Sequence, residues 1–522
     1  MDRRHFVRDL ARLSALAATT PSLWRLRWRP AFAGDPFTLG VASGDPTASS
    51  VVLWTRLAPT PLDPLGGLGG ERPVVRWELA DDDKFSRIVK RGAATATPEL
   101  AYSVHVDVGG LRPGRWYHYR FMSGDAVSET GRVCTAPDTH DQTPFSFTFL
   151  SCQHYEQGLY TALHHMSEED VHLAVHLGDY IYETAAPAPG QMGNRVRAHV
   201  GPNIHTLDDY RQRYALYKSD PALRRAHAHY PWLLIWDDHE VDNNYANLIN
   251  ELPAQENEAV MRVRRAGAYQ AWYEHQPVRL KPIAHGKSWT DYRIYRTLEW
   301  GPLARFYALD GRQYRTDQPC GDGSKAIPCD GYDAPGQTML GAAQEQWLYN
   351  GLAHSHAQWQ VLANQVVFSP PDEPPKAGDR VQMDNWHGYP AARDRALAAI
   401  ATHAPGRTVV LTGDIHDNWV YDVRRGFDAR DRPVIATEFV GTSISSGGDG
   451  SDTIARVTPA YLAANPSLKW ANDRRGYVRC TVSESEWRAD YRVVPFVSQP
   501  DAPVKTASSW RTERGQAGVQ KI

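Results

Sequence analysis

Cysteine is scarce in this chain: five among 522 residues, at Cys134, Cys152, Cys320, Cys329 and Cys480. So long a chain with so few thiols is no disulfide-stapled scaffold and must be held by ordinary cores. The odd count leaves at least one thiol unpaired. Cys320 and Cys329 bracket a short Gly- and Pro-rich loop and are candidates for a local disulfide; spacing leaves a Cys134–Cys480 pair open. Long apolar runs are missing as well. None approaches the about 18–20 residues of a membrane-crossing helix. An excess of one charge is also missing, the net value being −3, so there is no overall basic footprint for nucleic acid. No internal repeat or low-complexity segment is present. Ser443, Ser445 and Ser446 in GTSISSGG lack a G-x-S-x-G elbow, which excludes the usual serine-hydrolase turn.

What is present is first a distinctive N-terminus. Residues 2–7 read DRRHFV, an Ala-rich apolar stretch follows from Leu13 to Leu23, and Ala31-Phe32-Ala33 precedes Gly34. A twin arginine, an apolar segment and a small-residue cleavage signature resemble a twin-arginine export signal. Arg12 at the edge of the apolar stretch and Arg25, Arg27 and Arg29 near the cleavage site depart from that pattern. The expectation is an exported protein, in the periplasm, cell envelope or medium, with the signal over residues 1–33.

The length predicts more than one structural unit. Residues 34–138 read as all-β: FTLGVASGDP, SVVLWTRL, VVRWELA and WYHYRFM are short, alternating or apolar, and punctuated by Gly, Pro and Asp. The hairpin-like GLRPGRWYHYRFMSG, with Tyr117 as candidate corner tyrosine, is similar to a fibronectin type III-like sandwich. The Pro-containing APDTHDQTP (136–144) reads as a linker. Residues 139–500 then alternate strands with helical stretches, an α/β (α+β) pattern. Residues 501–522 read as a polar tail.

Four apolar strands in this region end in metal-competent residues: Ser151-Cys152-Gln153, Gly178-Asp179-Tyr180-Ile181-Tyr182, Asp237-Asp238-His239-Glu240 and Gly413-Asp414-Ile415-His416. In open α/β sheets, sites form at the carboxyl ends of strands, so these four ends are expected to share a cleft. The donors divide by hardness. Asp179, Asp238 and Asp414 suit hard divalent cations; Cys152, Tyr182 and His416 suit a transition metal, and a phenolate favours a trivalent one. Asp179 is the expected bridge. Two ions about 3.5–4 Å apart would clamp both oxygens of an in-line displacement at phosphorus. His239 is placed to hydrogen-bond substrate or protonate the leaving group. Each residue also has a plainer reading. Cys152 alone would be a small buried hydrophobe, Asp179 a helix cap and Tyr182 a core aromatic.

GDYIY, DDHE (237–240) and GDIH (413–416) resemble, in order, the GDxxY, GNHE and GHxH blocks of purple-acid-type metallophosphoesterases. Together with FTLGVASGDP, SCQ, WDDHEVDNN, DGRQYRTDQPC, MLGAAQEQWL, WQVLANQVVFSP, DNWHGYP and EFVGTSISSGG they are similar to the PhoD-type alkaline phosphatases over nearly the whole chain after residue 33. The resemblance implies a core of two packed mixed sheets flanked by helices. It implies ferric iron on Cys152, Asp179, Tyr182 and His416, and Ca2+ on Asp179, Asp238 and Asp414, with Asn364 in ANQVV at metal or phosphate. DGRQYR departs from the family's usual DTRxYR at Gly311, and a loop or lid change is expected there. The function expected is hydrolysis of phosphomonoesters, with phosphodiesters also accepted, by in-line attack of a metal-bound hydroxide, with His239 and Asp179 as catalytic residues. Two rivals remain: a phospholipase D or other phosphodiesterase on the same scaffold, and an envelope-polymer-binding protein with a relic metal site. Expected partners are a phosphate ester and the twin-arginine export machinery, the chain acting as a monomer.

Overall fold

The computed structural model describes residue 32 and residues 34–522, apart from 189–190, 252–255, 370–371, 373–375, 426–431 and 517. The twin arginine and most of the cleavage signature lie outside the described residues.

Two large sheets pack face to face. In spatial order the first runs Val519–Lys521, Lys505–Glu513, Glu486–Val494, Arg475–Val482, Phe145–Leu150, Leu173–His176, Pro231–Leu234, Val41–Gly44, Ser50–Arg56 and Ser103–Gly109. The second runs Arg296–Trp300, Ala304–Ala308, Trp359–Ala363, Thr408–Thr412, Val434–Val440, Asn418–Arg424 and Leu468–Asn472. Both are mixed: the central strands pair in parallel and the flanking ones antiparallel. Strand period decides which side chains face which layer. In the second sheet Phe306, Val361, Val409 and Leu411 enter the core between the sheets, while Tyr307, Leu362 and Val410 face outward. The outward set is covered by helices Gly341–His354 and Pro390–His403, through Leu348, Leu352, Ala396 and Leu397. Between the sheets Phe147 meets Phe306 and Trp487 edge-on, with ring centroids 5.3 and 5.4 Å apart. Helices Leu207–Lys218 and Glu258–His275 put Tyr210, Tyr214, Tyr269 and Trp272 into the same core.

The N-terminal region has its own apolar core, containing Val51, Leu53, Val75, Leu79, Tyr117, Tyr119 and Phe121. Its outer sheet orders Ile88–Thr95, Val74–Ala80, Trp116–Ser123 and Ala126–Val127, with Gly131–Cys134 also on Trp116–Ser123. Tyr117 Oη accepts from Arg112 N at 3.1 Å, the geometry of a corner tyrosine. Its inner strands, however, belong to the ten-stranded sheet, because Val41–Gly44 pairs in parallel with Pro231–Leu234. The sandwich is fused to the second unit by main-chain hydrogen bonds rather than hung on a linker.

The C-terminal expectation needs correction. Residues 501–522 are no loose tail: Lys505–Glu513 pairs with Glu486–Val494, and Val519–Lys521 pairs with Lys505–Glu513. KTASSWRTE alternates, and its Ser508, Trp510 and Thr512 face inward. The polar composition reflects an edge position, where one face meets water. Cys320 and Cys329 form the local disulfide, while Cys134, Cys152 and Cys480 are free and buried.

Candidate metal centre

Three of the four metal-competent strand ends lie side by side. Phe145–Leu150, Leu173–His176 and Pro231–Leu234 are parallel neighbours, so Cys152, Asp179 and the Asp237-Asp238 pair leave the sheet at one edge. The fourth, Thr408–Thr412, comes from the opposite sheet and brings Asp414 and His416 across. Glycine permits the approach at two points. A Cβ on Gly178 (φ +113) would lie 2.3 Å from that of Asp237, and one on Gly413 would lie 2.5 Å from Ser151 Oγ. The turns are tight enough to hold Cys152, Asp179, Asp414 and His416 at φ of 57, 56, 69 and 59°, the left-handed region uncommon for side-chain-bearing residues. Such backbone persists where the surroundings over-determine it, and it clusters at functional sites.

The donor atoms form three overlapping groups, each with its atoms within 4.8 Å of one another: Cys152, Asp179 and His416; Asp179, Asp238 and His239; and Asp237, Asp238 and Asp414. Asp179 joins the first to the second, as a bridge would. Tyr182 Oη completes the first, 2.9 Å from Asp179 Oδ2 and 3.3 Å from His416 Nε2. The structure thus brings together Cys152, Asp179, Tyr182, Asp238, His239, Asp414 and His416.

Asn364 is turned elsewhere. Its Oδ1 accepts from Trp386 Nε1 at 3.1 Å and its Nδ2 donates to Val366 O at 2.5 Å. Both ends of the amide hold the turn after Trp359–Ala363, and Nδ2 also lies 3.4 Å from Thr412 Oγ1, two residues before Asp414. Gly311 is buried in the loop after Ala304–Ala308, and its N–H donates to Gln365 Oε1 at 3.2 Å.

Electrostatics explain what this cluster accepts. Burial, with the neighbouring carboxylates adding to it, pushes the acids of Asp179 and Asp414 well above the usual range. Burial also raises the Cys152 thiol and the Tyr182 phenol, Asp179 reinforcing both. It lowers His416 to about 3, with Arg475 adding to the effect. Each shift disfavours the ionic form in the absence of a nearby cation. Asp179 Oδ1 and Asp238 Oδ1 are buried and take no hydrogen bond from the protein. Buried carboxylate oxygens without donors are costly unless a cation meets them. The residues present therefore fit metal ions.

Arg312, Asp384 and Glu183 escaped the sequence reading, and Glu240 serves as a hydrogen-bond acceptor for the strand-end turns. Arg312, fully buried, places Nε 2.5 Å from Asp237 Oδ1 and Nη1 2.7 Å from Asp384 Oδ1, with Nη2 3.6 and 3.7 Å from Asp238 and Asp414. It opposes the burial that raises Asp238, whose carboxyl lies below the usual range. Asp384 is held further by Arg315. Glu240 accepts from the backbone N–H of Asp179, Tyr180 and Asp237 at 3.1, 2.5 and 2.7 Å, tying two strand-end turns together. His239 Nδ1 meets Glu183 Oε2 at 2.7 Å, and Asn243 N donates to the other Glu183 oxygen. Burial pulls the His239 imidazole down, but Glu183, Asp179 and Asp238 more than offset this and hold it well above 6.5. The signal for Arg312 was in DGRQYR, one place beyond the glycine that drew attention.

Two packed mixed sheets with acids, a thiol, a phenol and imidazoles at their strand ends define a phosphoesterase-type site. The model of the PhoD-like phosphatase family matches residues 147–491, and that of the family's N-terminal domain matches residues 22–137. Alkaline phosphatase D of Bacillus subtilis (strain 168) is 45% identical over 527 residues, covering 100% of this chain and 89% of the relative. The solved structure of PhoD matches with a TM-score of 0.89 at 46% identity, over 94% of this chain and 93% of that one. The purple acid phosphatase PPD1 from yellow lupin seeds, with a TM-score of 0.55 at 12% identity over 91% and 74%, shares the fold alone. The chain belongs to the PhoD-like phosphatase family, and it is a phosphoesterase.

Proposed function

We propose that this enzyme hydrolyses phosphomonoesters, and phosphodiesters as well, with a mixed metal centre. Cys152, Asp179, Tyr182 and His416 would hold ferric iron, and Asp179, Asp238 and Asp414 would hold Ca2+. One observation carries the reading: Asp179 is common to a thiol–imidazole group and to a carboxylate group. Thiolate, phenolate and imidazole select a transition metal, whereas clustered carboxylates select a hard divalent ion. Bound cations would polarise a phosphoryl oxygen and supply an activated water.

The protein's own residues supply the rest. His239, charged through Glu183, points its free Nε2 away from that carboxylate, where it can donate to a phosphoryl oxygen or to the leaving oxygen. Glu183 fixes the orientation of the ring. Arg312 sets the field at the carboxylate side and keeps Asp238 ionised. Glu240 holds the spacing between the Asp179 and Asp237 turns.

Metal analysis of the native protein with its visible spectrum tests the assignment. Iron accompanied by a tyrosinate charge-transfer band is the expected result; full activity after exhaustive chelation and iron removal would sink it. Rates on a phosphomonoester, a bis-ester and a phospholipid, measured side by side, separate the monoesterase reading from the phosphodiesterase and phospholipase D readings. Unchanged activity in Asp179→Asn would favour a binding protein with a relic site. We further propose export through the signal at residues 1–33. A reporter fusion should leave the cytoplasm and be retained once Arg3 and Arg4 are both replaced by Lys. The monomer reading is checked by light scattering.

A further inference from the structure

The Gly-Ser loop GTSISSGG meets a side chain of the metal centre through the Ser446 hydroxyl, while its Thr442 hydroxyl donates to His416 O at 2.7 Å. Ser446 is fully buried, and its Oγ has three neighbours: Tyr182 Oη at 2.7 Å, Cys152 O at 2.8 Å and His154 N at 3.2 Å. The His154 amide can only donate and the Cys152 carbonyl can only accept. A serine hydroxyl carries a single hydrogen. That hydrogen goes to Cys152 O while Tyr182 keeps its phenolic proton, which Tyr182 gives to Asp179 Oδ2 or to Ser446 itself. A phenol that ligates a metal has no proton to give. The contact at 2.7 Å then has two acceptors facing each other unless the serine hydrogen turns toward Tyr182.

We propose that Ser446 is the positioning residue of the tyrosinate: its hydroxyl swings from the Cys152 carbonyl to donate to the Tyr182 oxygen when that oxygen becomes a ligand. The loop is built to keep Oγ in place through the swing. Ile444 N donates to Ser151 O at 3.1 Å, and Ser443 bridges Ser151. Arg475 Nη1 donates to Ser446 O at 3.0 Å and to Ser443 Oγ at 2.8 Å. Only the hydrogen need move. The Tyr182 ring is held between two imidazoles, His154 at 4.3 Å and His239 at 4.1 Å between centroids, so its oxygen cannot turn away from the serine. A donated hydrogen bond stabilises the phenolate, which moves the tyrosinate-to-iron band to shorter wavelength and favours the deprotonated, metal-binding form of Tyr182 over the phenol.

This rests on the proposal that Tyr182 ligates ferric iron, and the tests separate the two. The full-length iron-loaded protein is compared with Ser446→Ala and Ser446→Thr. In Ser446→Ala the band moves to longer wavelength and iron retention against a chelator weakens by about 10- to 100-fold; Ser446→Thr restores both. The wild type alone gives a second readout. Transfer to D2O shifts the tyrosinate C–O stretch in its resonance Raman spectrum, because the donor is exchangeable. A band present in the wild type but unmoved in iron-loaded Ser446→Ala, or a stretch indifferent to D2O, overturns the role of Ser446 alone. Iron without any such band in the wild type overturns the tyrosinate reading and this one with it.

Discussion

Arg312→Met tests how the cluster balances its charge. Methionine keeps much of the side-chain volume and removes the guanidinium that faces Asp237 at 2.5 Å and Asp384 at 2.7 Å. Asp384 keeps Arg315; Asp237 has no second arginine among its ion pairs in the described residues. Cutting one partner from a buried pair costs about 3–5 kcal/mol. Asp237 can limit the loss by taking a proton, since burial already pushes its carboxyl up to about 7. The sign follows. A carboxyl whose pKa is higher folded than unfolded favours the folded state at low pH and disfavours it as pH rises through that value, so the deficit is larger at pH 8 than at pH 6. A second effect has the opposite direction. Two unit charges about 4 Å apart repel by up to about 4 kcal/mol at an effective dielectric of 20. Arg312 Nη2 lies 3.6 Å from an Asp238 oxygen and 3.7 Å from an Asp414 oxygen, where a divalent ion would bind. Removing it should therefore strengthen the linkage between Ca2+ and folding. The assay is thermal unfolding of the full chain by tryptophan fluorescence, in chelator and in excess Ca2+. The midpoint in chelator falls, and the gain on adding Ca2+ exceeds that of the wild type. An unchanged midpoint in chelator, or a smaller gain with Ca2+, refutes the charge-balance reasoning.

Glu240→Gln replaces an acceptor of three backbone N–H groups with an amide that accepts at only one end, and should cost about 1.5–3 kcal/mol with weaker metal retention, read by unfolding and metal analysis. Deleting residues 501–522 bares the edge of Glu486–Val494 and takes the ring of Trp510 out of the core, so soluble yield should collapse; a soluble, active truncation would contradict the sheet order. His275 accepts from Arg56 Nη1 through Nε2 at 2.8 Å and donates through Nδ1 to Ala271 O, and burial keeps its pKa well below 6.5. Its contribution is present above about pH 6.5 and lost as pH falls toward its folded value, so the wild-type midpoint should drop on acidification and His275→Gln should flatten that slope.

The legible part of this protein was its strand ends. An apolar run closing on Asp, Cys or His declares both a buried strand and the chemistry at its tip, and seven of the eight named site residues meet in one cleft. A motif position says nothing of which way an amide faces, and the amide of Asn364 is held by Trp386, Val366 and Thr412. Arg312 and Glu240 were hidden for another reason. Their roles depend on partners up to 102 residues away in sequence, which the DGRQYR and DDHE blocks that contain them do not reveal. Polar composition concealed the C-terminal strands, since an edge strand needs only alternate apolar positions. How the N-terminal unit joins the second was not legible, because a parallel pairing of Ser43 with Pro231 leaves no trace in either segment.

That pairing also sets the order in which the molecule can be completed. Val41–Gly44 is among the first strands of the described chain, and one of its neighbours in the sheet emerges from the ribosome nearly two hundred residues later. The other end of the same sheet closes with the last strand, at Val519–Lys521. Contacts so distant in sequence make folding slow and largely post-translational. The nascent N-terminal half must therefore wait with an unpaired edge, and a chaperone that shields Val41–Gly44 until Pro231 is made would raise the yield of native enzyme.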